Sequence, residues 1–295
     1  MNHVMSMTRR NISLFLRDRS AVFFSFLSAI ILVALYFLFI ARMYTQDMDG
    51  GPASNFLVYL QMMAGVLILN SMSLSMGAFS TVAKDFENRR VDNFLLTPLR
   101  RTELLISYLA GGFLVSFILN ILTWIISALL IGVLTGYFVS AGAILMGIVI
   151  LLAASAISAA IMLLVTSLVR SSAAIGVISG IAGTFFGFLC GIYMPFSSLG
   201  PTTEKVGSVL PFTHLVIWMK QTLLADAFRQ LSLPAGAKAP ILTAFSAENI
   251  GFVGLRASLP AMLIFCGVFA LLCLAAAWYL LKRRMAKGRR SAAPA

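Results

Sequence analysis

The chain has 295 residues, of which 60% are hydrophobic and 11% charged, with a net charge of +12 and a mean hydropathy of +0.96. A water-soluble domain carries about a quarter of its residues as charges, so this inventory cannot cover a water-facing surface. It excludes a disordered chain, a nucleic-acid module and a disulfide scaffold. The basic excess sits in short segments beside apolar runs, where lysine and arginine fix topology against anionic lipid. Cys190, Cys266 and Cys273 all lie inside apolar runs and read as packing residues.

Residues 1–20 predict an amphipathic helix lying on the membrane surface, with Val4, Met5, Thr8, Ile12, Phe15 and Leu16 on one face and Arg10, Ser13 and Arg17 on the other. A membrane-spanning domain at 21–281 follows. Its first apolar run, about 21–40, is too long for a signal-peptide core and has no A-x-A-like site after it, so it reads as the first span. A polar loop at 42–55 leads to the second span, about 56–82.

The segment 84–101 is the most polar stretch of the first half. Asp85 and Arg89, and Glu87 and Arg90, stand at helical i,i+4 and i,i+3 spacings with the acid first, the favourable order. Phe86, Arg90 and Phe94 recur every four residues, so a short charged helix would present two aromatics on one face. Such a helix suits docking in a protein groove, or simply tops two spans as a solvated loop. Thr97-Pro98 ends it and opens the next helix.

Spans three to six are expected at about 103–133, 141–169, 173–194 and 260–281, with tight turns at Gly136-Tyr137 and at Arg170-Ser171-Ser172. A mixed segment, 195–259, separates the last two and contains an amphipathic piece around 212–228. Residues 282–295 form a basic tail. Six spans place both termini on one side. Sixteen of the 22 lysines and arginines fall on the termini and on the loops around 84–101 and 170, which makes that side cytoplasmic and 195–259 external.

No Asp, Glu, Lys, Arg or His falls in the central part of an expected span, which argues against an ion-coupled carrier and an intramembrane hydrolase. His214 supplies neither a triad nor a metal site and reads as a loop or interfacial histidine. None of the six lysines follows a glycine, so the phosphate-cradling P-loop is missing. The chain is therefore expected to be no enzyme and to hold no cofactor or metal; if ATP drives it, another subunit hydrolyses it. Span five carries Gly176, Gly180, Gly183, Gly187 and Gly191, a ladder that permits close helix approach. Phe185, Phe186 and Phe188 interleave with it, offering apolar surface to a hydrophobic cargo or to a neighbouring helix.

The stretch from Asp85 to Glu103 runs as an acidic–basic helix, Leu95-Leu96, Thr97-Pro98-Leu99, Arg100 and a glutamate opening the next span. It resembles the cytoplasmic signature of the type-2 ABC exporter permeases. A second element, Gly191-Ile192-Tyr193-Met194-Pro195-Phe196-Ser197-Ser198-Leu199-Gly200 continued by Leu210-Pro211-Phe212-Thr213-His214, is similar to the one that follows their fifth span. The chain departs from the pattern at Glu87-Asn88-Arg89-Arg90, where Glu-x-Gly-Thr is common, at His214, where an aromatic is usual, and at Gly200, where Pro is common.

The resemblance implies an all-α polytopic fold with a cytoplasmic coupling helix within 84–101 and re-entrant helices in the external segment. It implies a bacterial cytoplasmic membrane, a second permease (identical or homologous), and two cytoplasmic ABC ATPase subunits that hold ATP and Mg. The implied function is export of a lipophilic or amphipathic drug, antibiotic, peptide or lipid, with antibiotic resistance among its roles. Asp85, Phe86, Glu87, Arg89, Arg90 and Phe94 would couple to the ATPase. Spans two and five would line the pathway, which makes Asn70, Ser71, Ser73 and Ser75 its polar candidates beside the three phenylalanines. The alternative is a non-transporting sensor or immunity subunit paired with an ABC ATPase.

Overall fold

The computed structural model describes residues 2–20, 22–23, 27, 51–97, 99–169, 171–194, 196, 200–248 and 259–291. The elements are α1 (Asn2–Arg17), α2 (Pro52–Glu87), α3 (Arg90–Leu95), α4 (Arg101–Thr135), α5 (Ala141–Leu168), α6 (Ser172–Leu189), α7 (Pro201–Ser208), α8 (Pro211–Gln230), α9 (Ala235–Ala244) and α10 (Leu259–Ser291). No strand occurs among the described residues. The helices α2, α4, α5, α6 and α10 are long and apolar enough to cross a membrane. They correspond to the expected spans two to six. The expected first span, 21–40, lies outside the described residues apart from 22–23 and 27.

The helix ends follow local chemistry. Pro52 opens α2 at a position where a missing N–H costs nothing. The Arg100 N–H donates to Glu103 Oε2 at 2.9 Å at the start of α4. Gly136 ends α4 at φ +77, a left-handed cap that glycine adopts freely. Ser140 then caps α5 by accepting from the Ala143 N–H at 3.3 Å, and Ser171 caps α6 by accepting from Ala174 at 3.2 Å.

Helix α2 is the axis of the bundle: 89% of its membrane-length window is buried, and it packs on α4, α5, α6 and α8. Close approach depends on small residues. A side chain at Gly112 would fall onto the Phe79 ring, and one at Gly147 would meet Trp124 Nε1 at 2.8 Å.

Three sequence-based expectations need correction. Helix α1 buries only part of the expected face: Thr8 and Phe15 are buried and Val4 and Ile12 half-buried, but Met5 and Leu16 are exposed, while Met7 and Asn11, outside that face, are buried. The apolar wheel assumed lipid on one side, whereas α1 packs on protein, against α4 and α2. Asn11 Nδ2 donates to Ser107 O at 3.2 Å, and Phe15 sits among Leu74, Ala78, Val115 and Leu119. The piece expected as amphipathic is α8, buried between α2, α5 and α10.

The third correction concerns the glycine ladder. Helix α6 is only 12% buried, and none of the described residues lies within 4 Å of a side chain placed at Gly176 or Gly183. The surroundings of Gly180 lie outside the described residues. Gly187 is packed, but against Tyr193 of the following turn rather than a neighbouring helix, and Gly191 has left the helix, at φ +62 beside Phe196. Gly187→Leu is therefore expected to lower the unfolding temperature of the chain in detergent, while Gly183→Leu leaves it unchanged. Equal losses in both variants would restore the ladder as a packing device within one chain.

Candidate functional site

At the end of the bundle where α2 passes into α3 and α4, four elements converge on one carboxylate. Asp85, in the last turn of α2, has no exposed surface. Arg10 of α1 grips it at two points, Nη1 to Oδ2 at 2.8 Å and Nη2 to Oδ1 at 3.1 Å. The Tyr108 hydroxyl of α4 donates to Oδ2 at 3.1 Å, and Arg90 of α3 stands 3.7 Å from Oδ1. The Arg10 guanidinium also lies 4.8 Å over the Phe94 ring. A carboxylate out of water is tolerable only with this density of partners.

This geometry changes the reading of 84–101. A single helix through the segment would have paired Asp85 with Arg89 and aligned Phe86, Arg90 and Phe94. Instead Arg89 adopts φ +54, the left-handed region, and breaks the chain between α2 and α3. Asp85 pairs with Arg10 and Arg90, not with Arg89. Glu87 does not bridge Arg90: its Oε2 accepts from the Ser172 N–H at 3.1 Å and the Ser172 hydroxyl at 3.0 Å, at the first turn of α6. The left-handed residue stands where the Glu-x-Gly-Thr pattern has its glycine, so the turn is kept although the residue that adopts it freely is not.

Phe86 and Phe94 are half-buried and packed against the core of this chain, Phe86 with its ring centroid 6.3 Å from that of Tyr108. Leu96, in the turn after α3, is 87% exposed, and Arg89, Arg90, Asp92, Asn93, Thr97 and Arg100, near it in sequence, are exposed as well. The spacing argument missed it because it looked for a helix face, and Leu96 lies just past the helix.

Among the described residues, the polar candidates Asn70, Ser71 and Ser75 of α2 are buried between helices. Asn70 donates to Asn120 Oδ1 at 3.3 Å and Thr123 Oγ1 at 3.4 Å; Asn120 donates to Leu67 O at 3.2 Å. Ser71 donates to Ile68 O at 2.6 Å and lies 3.4 Å from Ser158 Oγ. Ser75 is buried, its hydroxyl without a hydrogen-bond partner among the described residues, and Ser73 is half-buried. Asn70 thereby links α2 to α4 and Ser71 links it to α5, as polar residues between membrane helices do. On α6, Phe186 packs on Phe212 with centroids 5.5 Å apart, while Phe185 and Phe188 face outward.

Charges in α8 went unread in the sequence although two of them interrupt an apolar run. Lys220 is buried and donates to Gly191 O at 3.2 Å and Phe245 O at 2.8 Å. Both carbonyls lie at helix C-termini, of α6 and α9, whose partial negative charge takes the place of a counter-ion. Burial pushes this ammonium down to about 8. Asp226 accepts from the Ser140 N–H at 3.0 Å and its hydroxyl at 2.6 Å, tying α8 to the start of α5. His214, expected in a loop or at an interface, is buried; its Nε2 lies 2.8 Å from Ser208 O, and since a carbonyl only accepts, Nε2 carries the proton.

Residues 41–279 match the family described as ABC-2 family transporter protein. No curated protein matches the chain.

Proposed function

Since the chain belongs to the ABC-2 transporter family, whose membrane subunits lack nucleotide-binding domains and work with an ATPase on a separate subunit, we propose that it exports a lipophilic or amphipathic compound, such as a drug, antibiotic, peptide or lipid, from the cytoplasm or inner leaflet. The observation that carries the coupling half of this reading is Leu96, a large apolar side chain left bare among arginines at the charged end of the bundle. A single exposed leucine is ordinary on a protein surface, but here it stands in the turn of the segment that resembles the coupling signature, where a docking partner would bury it. An ABC ATPase with an apolar cleft and an acidic rim fits, and this end is then cytoplasmic under the positive-inside rule.

Helix α6 supports a second permease as partner. Val177, Ile181, Phe185 and Phe188 are exposed along it, and Gly176 and Gly183 leave room for a neighbouring backbone. The cargo reading rests on the same surface, which is apolar and carries no ionisable residue. Helices α7 and α8 then re-enter the bundle from the external side. The plasma membrane of a bacterium is the proposed location, with both termini cytoplasmic.

Reconstitution tests the reading. Vesicles holding the chain with the ABC ATPase encoded beside it should move a lipophilic cationic dye only when ATP is supplied. ATP turnover that responds to the dye without moving it would favour the non-transporting sensor instead.

A further inference from the structure

Asp85 draws each of its partners from a different element: Arg10 from α1, Tyr108 from α4 and Arg90 from α3. Arg10 reaches both the carboxylate and the Phe94 ring, so α3 is gripped near both ends, at Arg90 and at Phe94. Between α2 and α3 the backbone itself offers only the Asn88–Arg89 turn, with Arg89 at φ +54. A helix hung from one such turn swings about it, and any push delivered to α3 would be lost there.

We propose that Asp85 is the positioning residue that locks α3 to α1, α2 and α4, so that a displacement of α3 moves these helices as one body. This rests on the reading that the ATPase docks at the α3 turn, and it concerns what happens after docking. Asp85 itself is too deeply buried to touch a partner protein. A planar guanidinium held at two points fixes direction as well as distance. An apolar trio of similar volume would hold the helices together about as firmly, because burying charges offsets most of what the pair gains. It would not hold their relative orientation.

The test separates those two roles. In the complete permease–ATPase complex, the combined variant Arg10→Met, Asp85→Leu, Tyr108→Phe replaces the junction by apolar groups. Expected are a folded chain, unchanged ATPase affinity and continued ATP turnover, with dye moved per ATP hydrolysed falling tenfold or more. A ratio equal to that of the unmodified chain would reduce Asp85 to a packing residue and overturn the proposal. Arg10→Lys is the second variant: it keeps the charge but loses the two-point grip, and it should lower the same ratio severalfold in a chain that still folds and binds the ATPase. An unaltered ratio in Arg10→Lys also overturns the proposal. Failure of the unmodified chain to bind any ABC ATPase is a different result, and it removes the docking reading rather than this one.

Discussion

Arg10→Ala is expected to lower the free energy of unfolding by about 3–5 kcal/mol, the usual result of leaving a buried charge without its partner. Asp85 cannot turn to water: it has no exposed surface, and its other partners are one tyrosine hydroxyl and an arginine at 3.7 Å. Asp85→Asn should cost less. Its side chain still accepts from Tyr108, and the orphaned Arg10 is 26% exposed and can rehydrate. Denaturant titration in mixed micelles measures both. The reverse order, with Asp85→Asn the more damaging, would mean that the carboxylate reaches water and that the junction is not the buried cluster described.

The second large effect is at Leu96. Leu96→Asp should weaken ATPase association by about 2 kcal/mol or more, the scale of a central interface residue, while changing the chain's own stability by less than about 0.5 kcal/mol, as surface substitutions do. Phe86→Ala and Phe94→Ala should show the opposite pattern. Both rings pack against the core, so their loss destabilises the fold before it affects docking. Titration of labelled ATPase onto nanodisc-embedded permease gives the affinity, and thermal unfolding of the same samples gives the stability. Weak binding by the two phenylalanine variants at full stability, with Leu96→Asp unaffected, would return the anchor to the aromatics.

The spans were readable in the sequence because each is an apolar run longer than the hydrocarbon core, a signal that needs no knowledge of neighbours. The turns were readable too: Gly136 acts through its own backbone and Ser140 through a side-chain cap on the next turn. What could not be read was which face meets what. On α1, Met5 and Phe15 look equally apolar, but only the packed helix shows that Phe15 enters a protein cluster while Met5 stays outside. The same holds for Gly183, whose spacing promises a neighbour that is not found among the described residues.

The charged segment failed for a different reason. Pairing Asp85 with Arg89 assumed an unbroken helix, and one left-handed residue removed the assumption. Asp85 and Arg10 lie 75 positions apart, and no local spacing joins them. A usable signal was present nonetheless. An aspartate one turn from the end of a long apolar helix, and a lysine and an aspartate inside the apolar run of α8, are charges that burial would leave unpaid without a distant partner. Lys220 and Asp226 have such partners, in Gly191, Phe245 and Ser140.

The most direct measurement of the central claim, that energy enters through the α3 turn, is contact at position 96. A photoreactive residue in place of Leu96, in nanodiscs holding the permease with its ATPase, should form a covalent adduct with the ATPase on illumination. The same group at Lys238, in α9 of the proposed external segment, should form none. An adduct from position 238 with none from position 96 would place the ATPase at the wrong end of the bundle and contradict the mechanism.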